Sequence, residues 1–292
     1  MLVSIGLPVR NGESRLVPTV ESVLGQDHPD IELVISDNAS TDGTEELCRE
    51  LAKADSRIVY HRQPHNVGLL NNFITTIRLA SGEFFRWIGD SDALEPKYVT
   101  RCLEAFEADP RRILVTTQIA YQEPDGTVRT GEYHGTDLAS HDPVIRFREI
   151  LRLLNQSFLT IDPLYGLLRR EPVAALPRVN MYCEDQVFAA RLALTGPWGH
   201  VPEVLARRVR DDREPRGQVT AKLGVPRWQA HAAHALFCRD VLRHLRTSDL
   251  DPAQRRRARL ALARFYAVRH QRVAARRLRR LLSYAGAPGR RR

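Results

Sequence analysis

Two carboxylates one residue apart, Asp90 and Asp92 in FFRWIGDSDALEP (84–96), follow an apolar run and precede a proline. Acidic groups at i and i+2 on a turn can face one hard cation, which takes oxygen ligands and needs few protein contacts when phosphates complete its shell. The same residues also read as an ordinary turn, with Asp92 capping a helix near Pro96 and Asp90 solvated. A second acidic stretch, VISDNASTDGT (34–44), puts Asp37 at the end of a β-branched run, ahead of a Ser/Thr/Asp-rich helix start. A carboxylate there can accept hydrogen bonds from a pyrimidine N–H or from ribose hydroxyls, and helix N-terminal amides favour phosphate. Capping by Ser40, Thr41 or Asp42 accounts for the stretch as well. Together the two stretches outline a cleft for a nucleoside diphosphate and a metal.

A scaffold must bring these acids to one edge. Strand signals at 2–9, 31–37, 57–62 and 83–89 alternate with helix signals at 15–26, 40–55 and 71–82. The alternation predicts an α/β fold, a mainly parallel sheet flanked by helices, with ligands at the carboxyl ends of the strands. Pro8, Asp37 and Asp90 fall at such ends. Beyond residue 110 the pattern changes. Residues 113–134 read as a strand and hairpin turning at Pro124-Asp125-Gly126, and a helix begins at Asp142-Pro143. EDQVFAARLALTG (184–196) is a compact helix closed by glycine, and two more helices follow at 226–247 and 252–283, the last entered through Asp251-Pro252. There is no internal repeat.

Of the 292 residues, 43% are hydrophobic, enough for a proper core. The four cysteines, Cys48, Cys102, Cys183 and Cys238, lie far apart without metal or disulfide spacing, so small core residues in a reducing compartment are expected. The start MLVSIGLPVRNGE lacks a basic leader, and no run of about 18 uncharged apolar residues occurs. A cytoplasmic protein is the expectation. The net charge of +9 hides an asymmetry, because residues 217–292 carry 19 Lys+Arg and only 3 Asp+Glu. The polar DDREPRGQ (211–218) reads as a linker between a mildly acidic body and this basic tail.

Several of these motifs, in this order, resemble the family-2 glycosyltransferases of GT-A fold. VSIGLPVRNGESRLVPTVESVLGQDHPDIELVISDNASTDGT is similar to that family's opening, NVGLLNNF and ASGEFFRWIGDSDALEP to its next block, and YGLLRRE (165–171) and EDQVFAARL (184–192) to its acceptor-side motifs. The likeness covers about residues 1–210. It implies an inverting transferase that moves a sugar from a nucleotide-sugar donor, most often a UDP-sugar, to a hydroxyl or amine of a glycan, lipid-linked or small natural-product acceptor. By position, Pro8, Arg10 and Glu13 would touch the nucleotide and Asp37 would read the base. Asp90 and Asp92 would bind a divalent cation (Mg2+ or Mn2+) on the diphosphate, and Asp185 would be the general base. Asn66 and Asn72 would shape the loop beside the diphosphate, with capping an equal account of Asn66.

Two positions depart from the family pattern. Ser91, which supplies no charged contact, stands where an Asp is common, so the resemblance leaves the metal ligand as Asp90, Asp92 or both, and Arg210 stands near where relatives often have a histidine. Arg210 cannot bind a cation but can pair with phosphate. Trp198 suits either an acceptor sugar or the core.

The expected organisation is a GT-A domain over 1–216, with a nucleotide-binding half (1–110) and an acceptor-side half (111–216), and a basic helical region over 217–292. That tail suits an anionic membrane surface, packing on the acidic body, or a homodimer interface; no nucleic-acid module accompanies it. Rival readings are a nucleotidyltransferase, which wants a more glycine- and base-rich first loop than PVRNGES, and a non-catalytic nucleotide-sugar or nucleic-acid-binding protein.

Overall fold

The structure, a computed structural model, describes residues 1–156, 159–209 and 216–285, with side chains to 271. The first half alternates as the sequence predicts: β1 (Val3–Val9), α1 (Leu16–Leu24), β2 (Ile31–Asp37), α2 (Thr44–Ala54), β3 (Ile58–Arg62), α3 (Leu69–Leu79) and β4 (Phe84–Trp87). These strands pair in parallel in the order β3-β2-β1-β4, with Val9 beside Asp37 and Gly6 beside Trp87. All seven residues of β1 are buried, as a strand covered on both faces requires. Their carboxyl ends therefore form one edge.

Further along come β5 (Ala93–Leu94), α4 (Tyr98–Ala108), β6 (Leu114–Gln122), β7 (Val128–Arg129), α5 (Pro143–Gln156), β8 (Leu167–Arg169), α6 (Arg170–Ala174), α7 (Glu184–Thr195) and β9 (Trp198–Val209). Here the sheet is mixed. It continues from β4 through β8, β6 and β9 to β5, and the β6–β9 pair is parallel while β8, β5 and β7 run antiparallel to their neighbours. The expected hairpin forms as β6–β7, with Gly126 at φ +84° and the Thr127 amide donating to Asp125 Oδ1 at 2.9 Å. Asp142 caps α5 as expected, accepting from the Val144 amide at 2.8 Å.

The C-terminal segment folds as α8 (Arg216–Leu223), α9 (Gln229–Thr247) and α10 (Pro252–Ala285). Asp251 and Gln254 exchange side chain-to-amide hydrogen bonds at the start of α10, a reciprocal capping box. Most of DDREPRGQ, read from the sequence as a linker, lies outside the described residues; from Arg216 onward the chain is helical.

Two apolar clusters sandwich the sheet. One joins it to α1 and α4. The other contains Trp87, Trp198, Phe147 and Phe188 and is completed by Phe237, Val241 and Leu245 of α9 and Leu262 and Phe265 of α10. Trp198, 1% exposed, is a core residue. No helix among the described residues is long and apolar enough to cross a membrane.

Candidate active site

The loop leaving β1 is fastened to the start of α2. The Asn11 amide donates to Ser40 Oγ at 2.9 Å, Asn11 Oδ1 accepts from the Thr41 amide at 2.9 Å, and the Gly12 amide donates to Thr44 Oγ1 at 2.8 Å. Glu13 Oε2 accepts from the Gly43 amide at 3.0 Å, so this acid satisfies an orphan donor of α2. Gly12 admits no side chain: a Cβ would meet Val9 at 2.5 Å and Asp90 Oδ2 at 3.2 Å. Asp90 thus lies against the same loop. Arg10 is exposed on it, whereas Pro8 is buried within β1 opposite Ser36.

Asp37 is fully buried at the last position of β2, and both of its oxygens are engaged. Oδ1 accepts from the Ser40 amide (2.9 Å) and hydroxyl (2.5 Å). Oδ2 accepts from Tyr60 OH (3.0 Å) and Arg62 Nη1 (2.7 Å), Arg62 being its register partner on β3. Of the three residues expected to cap α2, Ser40 turns onto Asp37 instead, while Asp42 Oδ1 accepts from the first helical amide, that of Thr44, at 3.2 Å. Asn66 is tied in from the next loop, accepting from Asn38 Nδ2 at 2.8 Å and the Gly68 amide at 3.0 Å. Asn72 holds the floor, accepting from Ser36 Oγ at 2.7 Å. Removing the Asp37 carboxylate strands these donors. Asp37→Ala is expected to lower stability by about 1–3 kcal/mol, read as a lower urea midpoint.

Each acid of the DSD motif faces an arginine. Asp90 Oδ2 accepts from Nε (3.0 Å) and Nη2 (2.7 Å) of Arg15. Asp92, only 5% exposed, accepts through Oδ2 from the Gly89 amide (3.2 Å) and Arg208 Nε (3.1 Å). Arg208 Nη1 donates to Asp162 Oδ2 at 2.6 Å, and its guanidinium lies over the Tyr165 ring, 3.5 Å from the centroid. Beneath them Arg86 is completely buried. Its Nε donates to the Tyr165 carbonyl at 3.0 Å, while its two terminal nitrogens have no hydrogen-bond partner and the group lies 4.5 Å from the Tyr98 centroid. Among the described residues no group of three His, Cys, Asp or Glu is placed to hold a metal. Asp90 and Asp92, the acids to which the sequence resemblance assigns a cation, each hold an arginine on Oδ2.

Asp185 lies in the first turn of α7 and opens onto a hollow of about 450 Å3. Desolvation pushes its carboxyl up to about 6, the nearby charges of Glu184 and Asp162 add to the rise, and the Gln186 amide opposes it. Asp162 is raised likewise by burial, with Arg208 pulling against it and Asp92 pushing further. The turn after Asp162 also supplies Leu164 to the hollow. Most of the wall is apolar, with Leu69, Leu70 and Phe73 from α3 and Val219 from α8. Its polar groups are largely committed: Arg178 pairs with Glu184, and Asn180 Nδ2 donates to the Leu223 carbonyl at 2.8 Å.

The structure therefore gathers Asp37, Asn66, Glu13 and Asp90 around the loops after β1 and β2, joins Asp92 to Asp162 through Arg208, and places Asp185 at a hollow that Leu164 also lines. Neither Asp37 nor Asp90 lines the hollow at Asp185. Arg210, with Asp211 and Asp212, lies outside the described residues. Arg15, Asp162 and Arg208 escaped the sequence reading. The Asp162-Pro163 pair just before YGLLRRE was the one local signal for a helical cap, and Asp162 Oδ1 does accept from the Leu164 amide at 3.2 Å.

A parallel sheet edge carrying acids at the end of β2 and after β4, continued by a mixed sheet and a hollow with its own carboxylate, is the GT-A arrangement. The family model described as "Glycosyl transferase family 2" matches residues 4–176, and the chain belongs to that family. It is 38% identical over 97 residues to the abequosyltransferase RfbV of Salmonella typhimurium, covering 32% of this chain and 29% of that one. The chain spans less than half the length of the first curated relatives it matches. Its fold is similar to that of S. aureus TarS 1–349 in complex with UDP-GlcNAc, with TM-score 0.67 at 16% identity over 91% of this chain and 72% of the other. It is also similar to the mannosyltransferase PcManGT of Pyrobaculum calidifontis in complex with GDP-Man and Mn2+, with TM-score 0.54 at 15% identity over 93% and 86%.

Proposed function

We propose that the protein transfers a sugar, with inversion, from a nucleotide-sugar donor, a UDP-sugar foremost, to a hydroxyl or amine of its acceptor. The observation that carries this reading is Asp185, an exposed carboxylate in the first turn of α7 at a hollow of about 450 Å3 walled mainly by apolar side chains. In the reaction the acceptor oxygen forms a bond to the anomeric carbon as the bond from that carbon to the diphosphate breaks. Asp185 takes the acceptor's proton, and the nucleoside diphosphate leaves with the bonding pair. Arg10 and Arg15 face the departing charge from the loop after β1. Asp37 supports the base subsite through Arg62 and Tyr60. The UDP-GlcNAc held by the TarS neighbour supports the donor class.

The apolar wall beside Asp185 favours an acceptor whose hydroxyl sits on an apolar body, a small natural product or a lipid-linked sugar, over a bare glycan. Packing of α10 on α5 and α9 supports a tail that completes the body on this side.

A panel of UDP- and GDP-sugars is expected to yield slow release of the nucleoside diphosphate from one of them, accelerated by acceptor. Nucleotide binding with no release from any donor, with or without candidate acceptors, would point instead to a non-catalytic sensor.

A further inference from the structure

The DSD motif has the position of a metal site, yet its charges are already balanced from within. Three carboxylates, Asp90, Asp92 and Asp162, are met by the guanidinium groups of Arg15 and Arg208, with Arg86 buried below. Ser91, between the two acids, adds no charge. A divalent ion is drawn to uncompensated carboxylate oxygens. To reach Asp92 Oδ2 it would have to displace Arg208, which is gripped by two acids and stacked on Tyr165. Displacement would leave a guanidinium largely removed from water with half of its compensation gone, near a second buried guanidinium, Arg86, whose terminal nitrogens have no hydrogen-bond partner. At the rim, Arg15 binds Asp90 through two nitrogens on one oxygen, a contact that a phosphate can take over, because the guanidinium fork matches phosphate oxygens equally well.

We infer that arginines hold the donor's diphosphate, with Arg208 serving as the resident cation of the acidic motif, so that donor binding does not depend on a divalent metal. This rests on the reading of the protein as a nucleotide-sugar enzyme. The metal's usual share, neutralising the diphosphate, falls to Arg15 at the rim, and Arg208 keeps Asp92 and Asp162 from repelling the phosphates.

Calorimetric titration of the full chain with UDP and with GDP, once in EDTA and once in excess Mn2+, tests this. The wild-type Kd for the preferred nucleotide is expected to agree within threefold between the two conditions. Arg15→Gln, at a half-exposed position, is expected to weaken binding about tenfold in both. A wild-type affinity that tightens threefold or more with Mn2+ overturns the inference and leaves the proposed function standing. If neither nucleotide binds in either condition, the proposed function fails, and this inference with it. A second readout uses Mn2+ alone, followed by electron paramagnetic resonance. The wild type is expected to leave the ion free at millimolar concentration, whereas Arg208→Met, which releases two carboxylates, is expected to bind it. Tight binding of Mn2+ by the wild type would contradict the resident-cation role even if Arg208→Met does not fold.

Discussion

Asp185→Asn is expected to lower the transfer rate by about 10²–10⁴-fold, the usual share of a general base, while the Kd for the nucleoside diphosphate stays unchanged. Initial rates with acceptor, set beside calorimetry, separate the two effects; retained turnover would remove Asp185 from the mechanism. The pH dependence follows from the carboxyl's position near 6. Transfer should fall as pH drops through about 6, because the protonated acid cannot accept the acceptor's proton, and should level off above about 7. Stability runs the other way. A free aspartate titrates near 3.9, so the folded protein binds this proton more tightly than the unfolded chain. The contribution of Asp185 is therefore most favourable below about pH 4, declines as pH rises, and is lost above about 6. At pH 7.5 Asp185→Asn should melt no lower than the wild type, even as it loses activity.

The second large effect concerns stability. Arg191, six residues after Asp185 on α7, pairs with Asp240 of α9, and the two are 5% and 2% exposed. Arg191 also donates to the Pro177 carbonyl. Asp240→Ala leaves its charge buried without its counter-ion, for an expected loss of about 3–5 kcal/mol. Urea denaturation at constant slope measures it. Replacing both partners with apolar residues, Arg191→Met with Asp240→Leu, should restore most of that loss, because neither charge is then stranded. If the single and double variants were equally destabilised, the pair would not be what holds α9 to α7.

β1 and β2 were legible because they are covered on both faces and so read as nearly unbroken apolar runs, while the helices beside them carry one apolar stripe each; β3, an edge strand with one buried residue, was legible by its β-branched and aromatic start. The caps at Asp142 and Asp251 were legible because capping is local. By contrast, β9 did not announce itself. Its twelve residues include Pro202 and place the buried pair Leu205-Ala206 directly before exposed Arg207 and half-buried Arg208, out of step with a two-residue period, and its pairing with β6 shifts register near Thr117 and Gln118. In the sheet, packing against β6 decided its state over its composition.

The site divided along the same line. Asp37, Asp90 and Asp185 stood out as acids at element ends, which is where local pattern has meaning. Arg208 did not, since its partners Asp92 and Asp162 lie 116 and 46 residues away in sequence. Asp37 was read as a free acceptor for a ligand, yet its oxygens are filled by the following turn and by the neighbouring strand. No spacing within one segment reveals either arrangement.

Arg257 of α10 reaches back to Asp142, the residue that caps α5, and Phe265 closes the apolar layer under Phe237. The basic end of the chain is thus a keystone. Ending the protein before α9 would unseat α5, uncover a sticky aliphatic face, and favour clumping over a smaller working enzyme.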